Sequence, residues 1–216
     1  RPPPPPTPTP ADCRRQRQMC IRDRATTSGC LEQFQHTRLC QEGITAIARC
    51  PVPVIAAIHS HCLGAGVDLA TACDIRLASE DALFGVRETK IGIVADVGTL
   101  QRLPGVVSAG HVAELAYTGK DITAARAEKI GLVNDVYPDA DAVYEAALAL
   151  AGEIAANAPL AVRGTKFVLQ QSEGMTTDQS LLLNGLWTMI SSLKSNDLKE
   201  AMQAFMEKRA PEFSGS

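Results

Sequence analysis

PVPVIAAIHSHCLGAGVDLATACDIRLAS, residues 51–79, decides the fold. Its opening, 51–59, is a β-branched run bounded by prolines, the pattern of a buried strand. Residues 60–66 follow as a glycine-rich turn. Residues 67–73, carrying Leu69, Ala70 and Ala72, read as a short helix whose first N–H groups that turn leaves exposed. Residues 74–79 read as a second strand and 82–85 as a short third. Residues 86–98 are a glycine-punctuated loop ahead of a helix at 99–103. Strands alternating with helices mark an α/β class.

A glycine-rich turn at a helix start can do three things. It can cradle phosphate, although Gly64-Ala65-Gly66 lacks the further glycines or the lysine of the phosphate-binding fingerprints. It can be purely structural. It can also offer the N–H of Ala65 or Gly66 as an oxyanion hole, an end of the helix that favours negative charge. The residues that follow weight the third option: Asp68 sits on the first turn of the helix, and Glu88 and Asp96 lie on loop segments beyond the next strands. Carboxylates are ordinarily solvated surface charges. Asp96, however, follows Ile91-Gly92-Ile93-Val94-Ala95, a setting expected to desolvate it as a general acid requires.

Bulk composition restricts the alternatives. With 216 residues, 45% of them hydrophobic, the chain has enough apolar material for one substantial core. Aromatics are only 4%, which suits helices packed on thin sheets rather than an aromatic-rich sandwich. The seven cysteines (13, 20, 30, 40, 50, 62 and 73) form no C-x-x-C pair. A reducing compartment without structural zinc is therefore expected. His59 and His61 form H-x-H with no third ligand at helical spacing, so no metal is expected. No apolar run reaches the roughly 18 residues of a membrane span, and no membrane partner is expected.

The net charge of −3 divides unevenly. Residues 1–24 hold six arginines against Asp12 and Asp23, so the remainder carries 15 basic and 22 acidic residues, a net −7. An acidic body does not suit a phosphate backbone, and no nucleic-acid partner is expected. Residues 1–10 are proline-rich and 11–24 are rich in Arg and Gln without apolar periodicity, so a disordered tail is expected over 1–24. Met19-Cys20-Ile21-Arg22-Asp23-Arg24 resembles one reading frame of a sequencing-library adaptor, which would make this tail artefactual. Leu31, Phe34, Leu39, Ile44 and Ile47 predict a helix over 31–48, imperfect around Thr37 and Gly43.

The run from Pro53 to Pro104 is similar throughout to the enoyl-CoA hydratase/isomerase (crotonase) superfamily, and within it to the Δ(3,5)-Δ(2,4)-dienoyl-CoA isomerases. The resemblance covers about residues 25–209. It implies a crotonase-like ββα spiral core, incomplete at its N-terminus, over 25–137, and a C-terminal helical trimerisation region over 138–216. By position, it implies that Ala65, with Gly66 beside it, donates an N–H to the thioester oxygen, and that Asp68 and Glu88 fill the two acid–base positions at which hydratases carry glutamate. Asp96 falls where hydratases have small residues, and Asp68, Glu88 and Asp96 together reproduce the dienoyl-CoA isomerase set.

The activity implied is a shift of conjugated double bonds from 3,5-dienoyl-CoA to 2,4-dienoyl-CoA in fatty-acid β-oxidation, with Glu88 as the C2 base and Asp96 as the C6 acid. CoA belongs to the substrate, and no separate cofactor is implied. The rivals are a 2-enoyl-CoA hydratase of the same fold and a noncatalytic RNA-binding or assembly member. The chain departs from the pattern at two points. The family's first oxyanion donor, on an N-terminal small-residue turn followed by Asp-Leu, has no match, and Ser60 replaces the glycine usual after the strand histidine, which is expected to change loop packing only.

Residues 117–131, YTGKDITAARAEKIG, place Thr123 to cap a helix through Lys129 and Gly131 to end it before a strand at 132–137. Helices are predicted over 139–157, 160–171, 177–194 and 197–208, a helical appendage in series. The resemblance implies that Phe205 and Lys208 contact CoA and that the assembly is a homotrimer or hexamer. Residue composition alone reads them as a core Phe and a helix-end Lys, and Trp187 as core or interface. The chain ends Phe213-Ser214-Gly215-Ser216, without the Ser-Lys-Leu peroxisomal address, and a cytoplasmic location is expected.

Overall fold

The computed structural model describes residues 29–216; the tail expected over 1–24 lies outside the described residues. Helix α1 spans Cys30–Ala48. Its less exposed positions, Thr37, Cys40, Gln41, Ile44 and Thr45, recur every three or four residues, yet none is fully buried. Strand β1 follows at Ile55–Ile58. It is shorter than expected because Pro51 and Pro53 have no N–H to give a sheet ladder. The expected turn over 60–66 contains a further strand, β2, at His61–Leu63. The chain bends between the two strands at Ser60, whose φ of 61° lies in the left-handed region. A serine there costs about 1–2 kcal/mol relative to its relaxed conformation, so its effect reaches the backbone and is not confined to loop packing.

Helix α2 (Ala65–Ala72) leads to β3 (Ile75–Ser79), then β4 (Leu83–Gly85). The expected loop over 86–98 contains a 3-10 turn at Glu88–Ile91 before the short helix α3 (Thr99–Arg102). Helix α4 (Ala109–Thr118) was not foreseen; it is stopped by Gly119 in the left-handed conformation. Strand β5 (Ile122–Thr123) runs into α5 (Ala124–Lys129), whose first turn is capped by the Thr123 hydroxyl accepting from the Arg126 N–H. Strand β6 occupies only Asp135–Tyr137.

Two three-stranded sheets result. One is parallel in the order β1-β3-β6, and the other has the order β2-β4-β5 with β2 parallel to β4. Phe84, Leu103, Leu132 and Val67 are the largest apolar side chains buried in the common core. Each contributes about 1.5–3 kcal/mol by leaving water. Arg76 enters this interior with its polar atoms satisfied: Nε donates to the Leu132 carbonyl at 2.7 Å and Nη1 to the Cys73 carbonyl at 2.7 Å.

Helix α6 (Ala140–Ala155) is capped by Asp139 and packs on β1, β3 and β6, so it covers the parallel sheet. A division at 137/138 would separate it from the layer it belongs to. Beyond it stand α7 (Pro159–Gln171), α8 (Thr177–Trp187), a π-helical turn (Thr188–Ser192) and α9 (Asn196–Glu207). Buried Lys166 fastens α7 to the sheet, donating to Asp74 Oδ2 at 2.6 Å and to the Val52 carbonyl at 2.9 Å. Trp187 stacks on Phe167 with centroids 4.7 Å apart and fills the space over Gly164, where a Cβ would have no room. No single helix among the described residues is long and apolar enough to cross a membrane.

Candidate active site

The parallel register of β2 and β4 builds the site. Leu63 pairs with Gly85, and the ladder extends one step further as the Gly64 N–H donates to the Gly85 carbonyl at 2.9 Å. The two chains therefore leave the sheet side by side. One becomes the start of α2, and the other becomes the 3-10 turn that carries Glu88.

Gly64 has φ 55° and ψ −118°, a combination that a side chain resists. A Cβ there would lie 3.1 Å from Glu88 Oε1, so the glycine also makes room for the carboxylate. The Gly64 carbonyl accepts from the Val67 and Asp68 N–H groups. The Ala65 and Gly66 amides are left without a main-chain acceptor among the described residues, as the first N–H groups of a helix are. Glu88, 9% exposed, is held from both sides. Arg87 Nε bonds Asp121 Oδ1 at 2.6 Å, and the Thr89 hydroxyl donates to the Ala116 carbonyl at 3.1 Å.

One helical turn along α2 from Gly64, Asp68 is 1% exposed. Its Oδ1 accepts from the Thr99 N–H at 2.5 Å and the Thr99 hydroxyl at 2.7 Å. Burial pushes the Asp68 carboxyl above the usual carboxylate range; the Thr99 bonds oppose that shift, the Asp96 charge adds to it and Arg102 opposes it. Asp96 thus lies close enough to Asp68 for the two charges to repel.

Asp96 itself is only half-buried. Of its apolar neighbours, Ala95 and Val97 are buried, whereas Ile91 and Val94 turn outward, 55% and 70% exposed. Asp96 is anchored by α1: Gln41 Nε2 donates to its main-chain carbonyl at 2.6 Å and the Thr37 hydroxyl to Oδ2 at 3.4 Å. Four residues further along α1, Thr45 Oγ1 accepts from Arg102 Nη2 at 2.8 Å. Arg102 lies folded back over Gly98.

The turn at 64–66, Asp68, Glu88 and Asp96 are therefore gathered around the first turns of α2. Phe205 and Lys208 are not in this cluster. They sit at the C-terminal end of α9, which makes no extensive contact with α2 or the 88–91 turn. Phe205 is 85% exposed, so it is no core residue of this chain. Sequence reasoning missed Thr99, which orients Asp68, and the Thr37, Gln41 and Thr45 stripe on α1. The i, i+4, i+8 spacing of three uncharged polar residues was the signal available. Among the described residues no group of three or more His, Cys, Asp or Glu could hold a metal ion.

Carboxylates gathered beside an open helix N-terminus are groups that can move protons and stabilise an anion. Residues 24–216 match the family model for enoyl-CoA hydratase/isomerase. The chain is 48% identical over 183 residues to the mitochondrial Delta(3,5)-Delta(2,4)-dienoyl-CoA isomerase of Dictyostelium discoideum, covering 85% of this chain and 62% of that one. It is 46% identical over 173 residues to the peroxisomal Delta(3,5)-Delta(2,4)-dienoyl-CoA isomerase of Arabidopsis thaliana, covering 80% and 62%. The crystal structure of an enoyl-CoA hydratase from Bacillus anthracis superposes with a TM-score of 0.83 at 34% identity, covering 91% of this chain and 75% of that one. The chain belongs to the enoyl-CoA hydratase/isomerase family. It spans less than two thirds of the length of the two isomerases it matches.

Proposed function

We propose that this protein converts 3,5-dienoyl-CoA to 2,4-dienoyl-CoA. One observation carries the reading: a third carboxylate, Asp96, stands three residues ahead of the Thr99 that holds Asp68, one turn of α2 from Gly64, where the Glu88 carboxylate lies. Positions i and i+4 of a helix stand about 5–6 Å apart. C2 and C6 of an extended conjugated chain, four bonds apart, are separated by about 5 Å. Glu88 takes a proton from C2, the electron pair moves along the conjugated chain, and Asp96 delivers a proton to C6. The double bonds at C3 and C5 become double bonds at C2 and C4, with one proton lost and one gained.

The Ala65 N–H, with Gly66 next to it, stabilises the negative charge that grows on the thioester oxygen in between. Removing one such donor in comparable acyl chemistry costs about 3–4 kcal/mol. Asp68, locked by Thr99, orients the polar groups between the two acid–base residues. CoA enters as part of the substrate and no further cofactor takes part. Phe205 and Lys208 contact the CoA moiety, and because they stand apart from the carboxylates they do so across the interface of a homotrimer or hexamer. The names of the two isomerase relatives favour mitochondria or peroxisomes over the cytoplasm.

A 2-enoyl-CoA hydratase is the second reading, supported by the Bacillus anthracis structure and by the Asp68 and Glu88 pair. Following ultraviolet absorbance with a 3,5-dienoyl-CoA and with crotonyl-CoA separates the two. Asp96→Asn is expected to lower dienoyl isomerisation by about 100-fold or more, the range of general acid catalysis. Glu88→Gln is expected to do the same. Crotonyl-CoA hydration that outpaces isomerisation and survives Asp96→Asn would establish the hydratase reading instead.

A further inference from the structure

We infer that Gln41 and Thr37 of α1 are positioning residues that aim the Asp96 carboxyl at the far end of the reacting chain. This rests on the dienoyl shift proposed above. The segment that carries Asp96 cannot aim it unaided. Between Gly92 (φ 77°) and Gly98 (φ 133°) the chain forms neither helix nor strand, and the neighbouring Val94 points to solvent. Ala95 and Val97, both buried, and the bond from Arg102 Nη1 to the Val97 carbonyl at 3.4 Å fix the course of the chain on either side of Asp96.

Helix α1 supplies the missing constraints, one for each part of the residue. The Gln41 amide holds the Asp96 carbonyl at 2.6 Å, and the Thr37 hydroxyl reaches carboxylate Oδ2 at 3.4 Å. Together they set the main chain and χ1 of Asp96. The two donors are four residues apart on one face of α1, and Thr45 continues that face to Arg102, whose charge also acts on Asp68. Helix α1 buries no side chain fully, and Thr37, Gln41 and Thr45 on one of its faces all hydrogen-bond into the site. Its directed contacts with the site are polar and land on the loop that carries the distal acid.

The two proton transfers allow this role to be isolated. In D2O, deuterium exchange at C2 of recovered substrate reports on Glu88, and product formation requires Asp96 as well. With the purified protein and 3,5-dienoyl-CoA, Gln41→Leu and Thr37→Val are expected to lower kcat by about 10–100-fold, the cost of an ångström-scale misplacement. KM should stay within about twofold, and the ratio of C2 exchange to turnover should rise by the same factor as kcat falls. Thr37→Ser, which keeps the hydroxyl, should restore turnover. If Gln41→Leu fails to fold, Thr37→Val, which replaces the hydroxyl with a methyl of similar size, carries the test alone. Exchange and turnover falling in parallel, or wild-type turnover in both variants, would overturn the positioning role. Asp96→Asn that isomerises normally would instead overturn the assignment of Asp96 itself.

Discussion

Asp68 shows what the site costs the fold. Because burial raises its folded-state pKa, the unfolded chain releases the Asp68 proton first as pH rises. Over that window the native state binds more protons, so stability falls with increasing pH from the unfolded carboxylate value, about 3.9, up to the raised native value. Asp68→Asn keeps an oxygen for the two Thr99 donors and removes the buried charge. It should raise stability at neutral pH by about 0.5–2 kcal/mol, as neutralised active-site strain does, with the gain vanishing in acid. Thermal unfolding from pH 3 to 7 checks this, and a gain independent of pH would refute it. That Asp68 follows the glycine turn on the first turn of a helix was legible in the sequence, because strand end and turn are local patterns. The tuning of the carboxylates was not: Thr99 is 31 residues from Asp68 and Thr37 is 59 from Asp96, and no local pattern announces such pairings.

At the scale of elements, the Thr123 cap and the Gly131 stop were readable because their physics is local: Thr123 starts α5, and Gly131 takes a left-handed conformation just past its end. Strand β2 was not, since it owes its pairing to β4 across the core and not to its own periodicity. The seating of α8 on α7 likewise depends on one unforeseen pair, Trp187 over Gly164. Gly164→Ala should expel the indole and destabilise this pair of helices by about 1–3 kcal/mol, the range for overpacking. Trp187 is the only tryptophan in the chain, so its fluorescence reports directly. A red-shifted emission with unchanged far-ultraviolet circular dichroism is expected, and an unshifted spectrum would mean that the glycine is not needed for docking.

At the scale of the molecule, the C-terminal helices carry many of the exposed apolar side chains among the described residues; Leu182, Ile190, Phe205 and Met206 are all more than three-fifths exposed. Contiguous exposed apolar surface marks association. Light scattering on the purified protein should give a mass of three or six subunits, and Ile190→Glu with Phe205→Glu should reduce it; a monomeric wild type would count against the trimer or hexamer. The ladder between β2 and β4 pairs three residues on each strand. Sliding one strand by a single residue would displace Glu88 by about 3.3 Å relative to the Ala65 amide and turn alternate side chains inside out. Buried Phe84, together with Gly85 wedged against Leu63 and Asp121, blocks that slip. The alignment of the Glu88 carboxylate with the Ala65 amide is thus a vernier set by strand pairing, so a side chain one methylene longer or shorter at 68 or 88 changes its reach while the spacing of the frame stays the same.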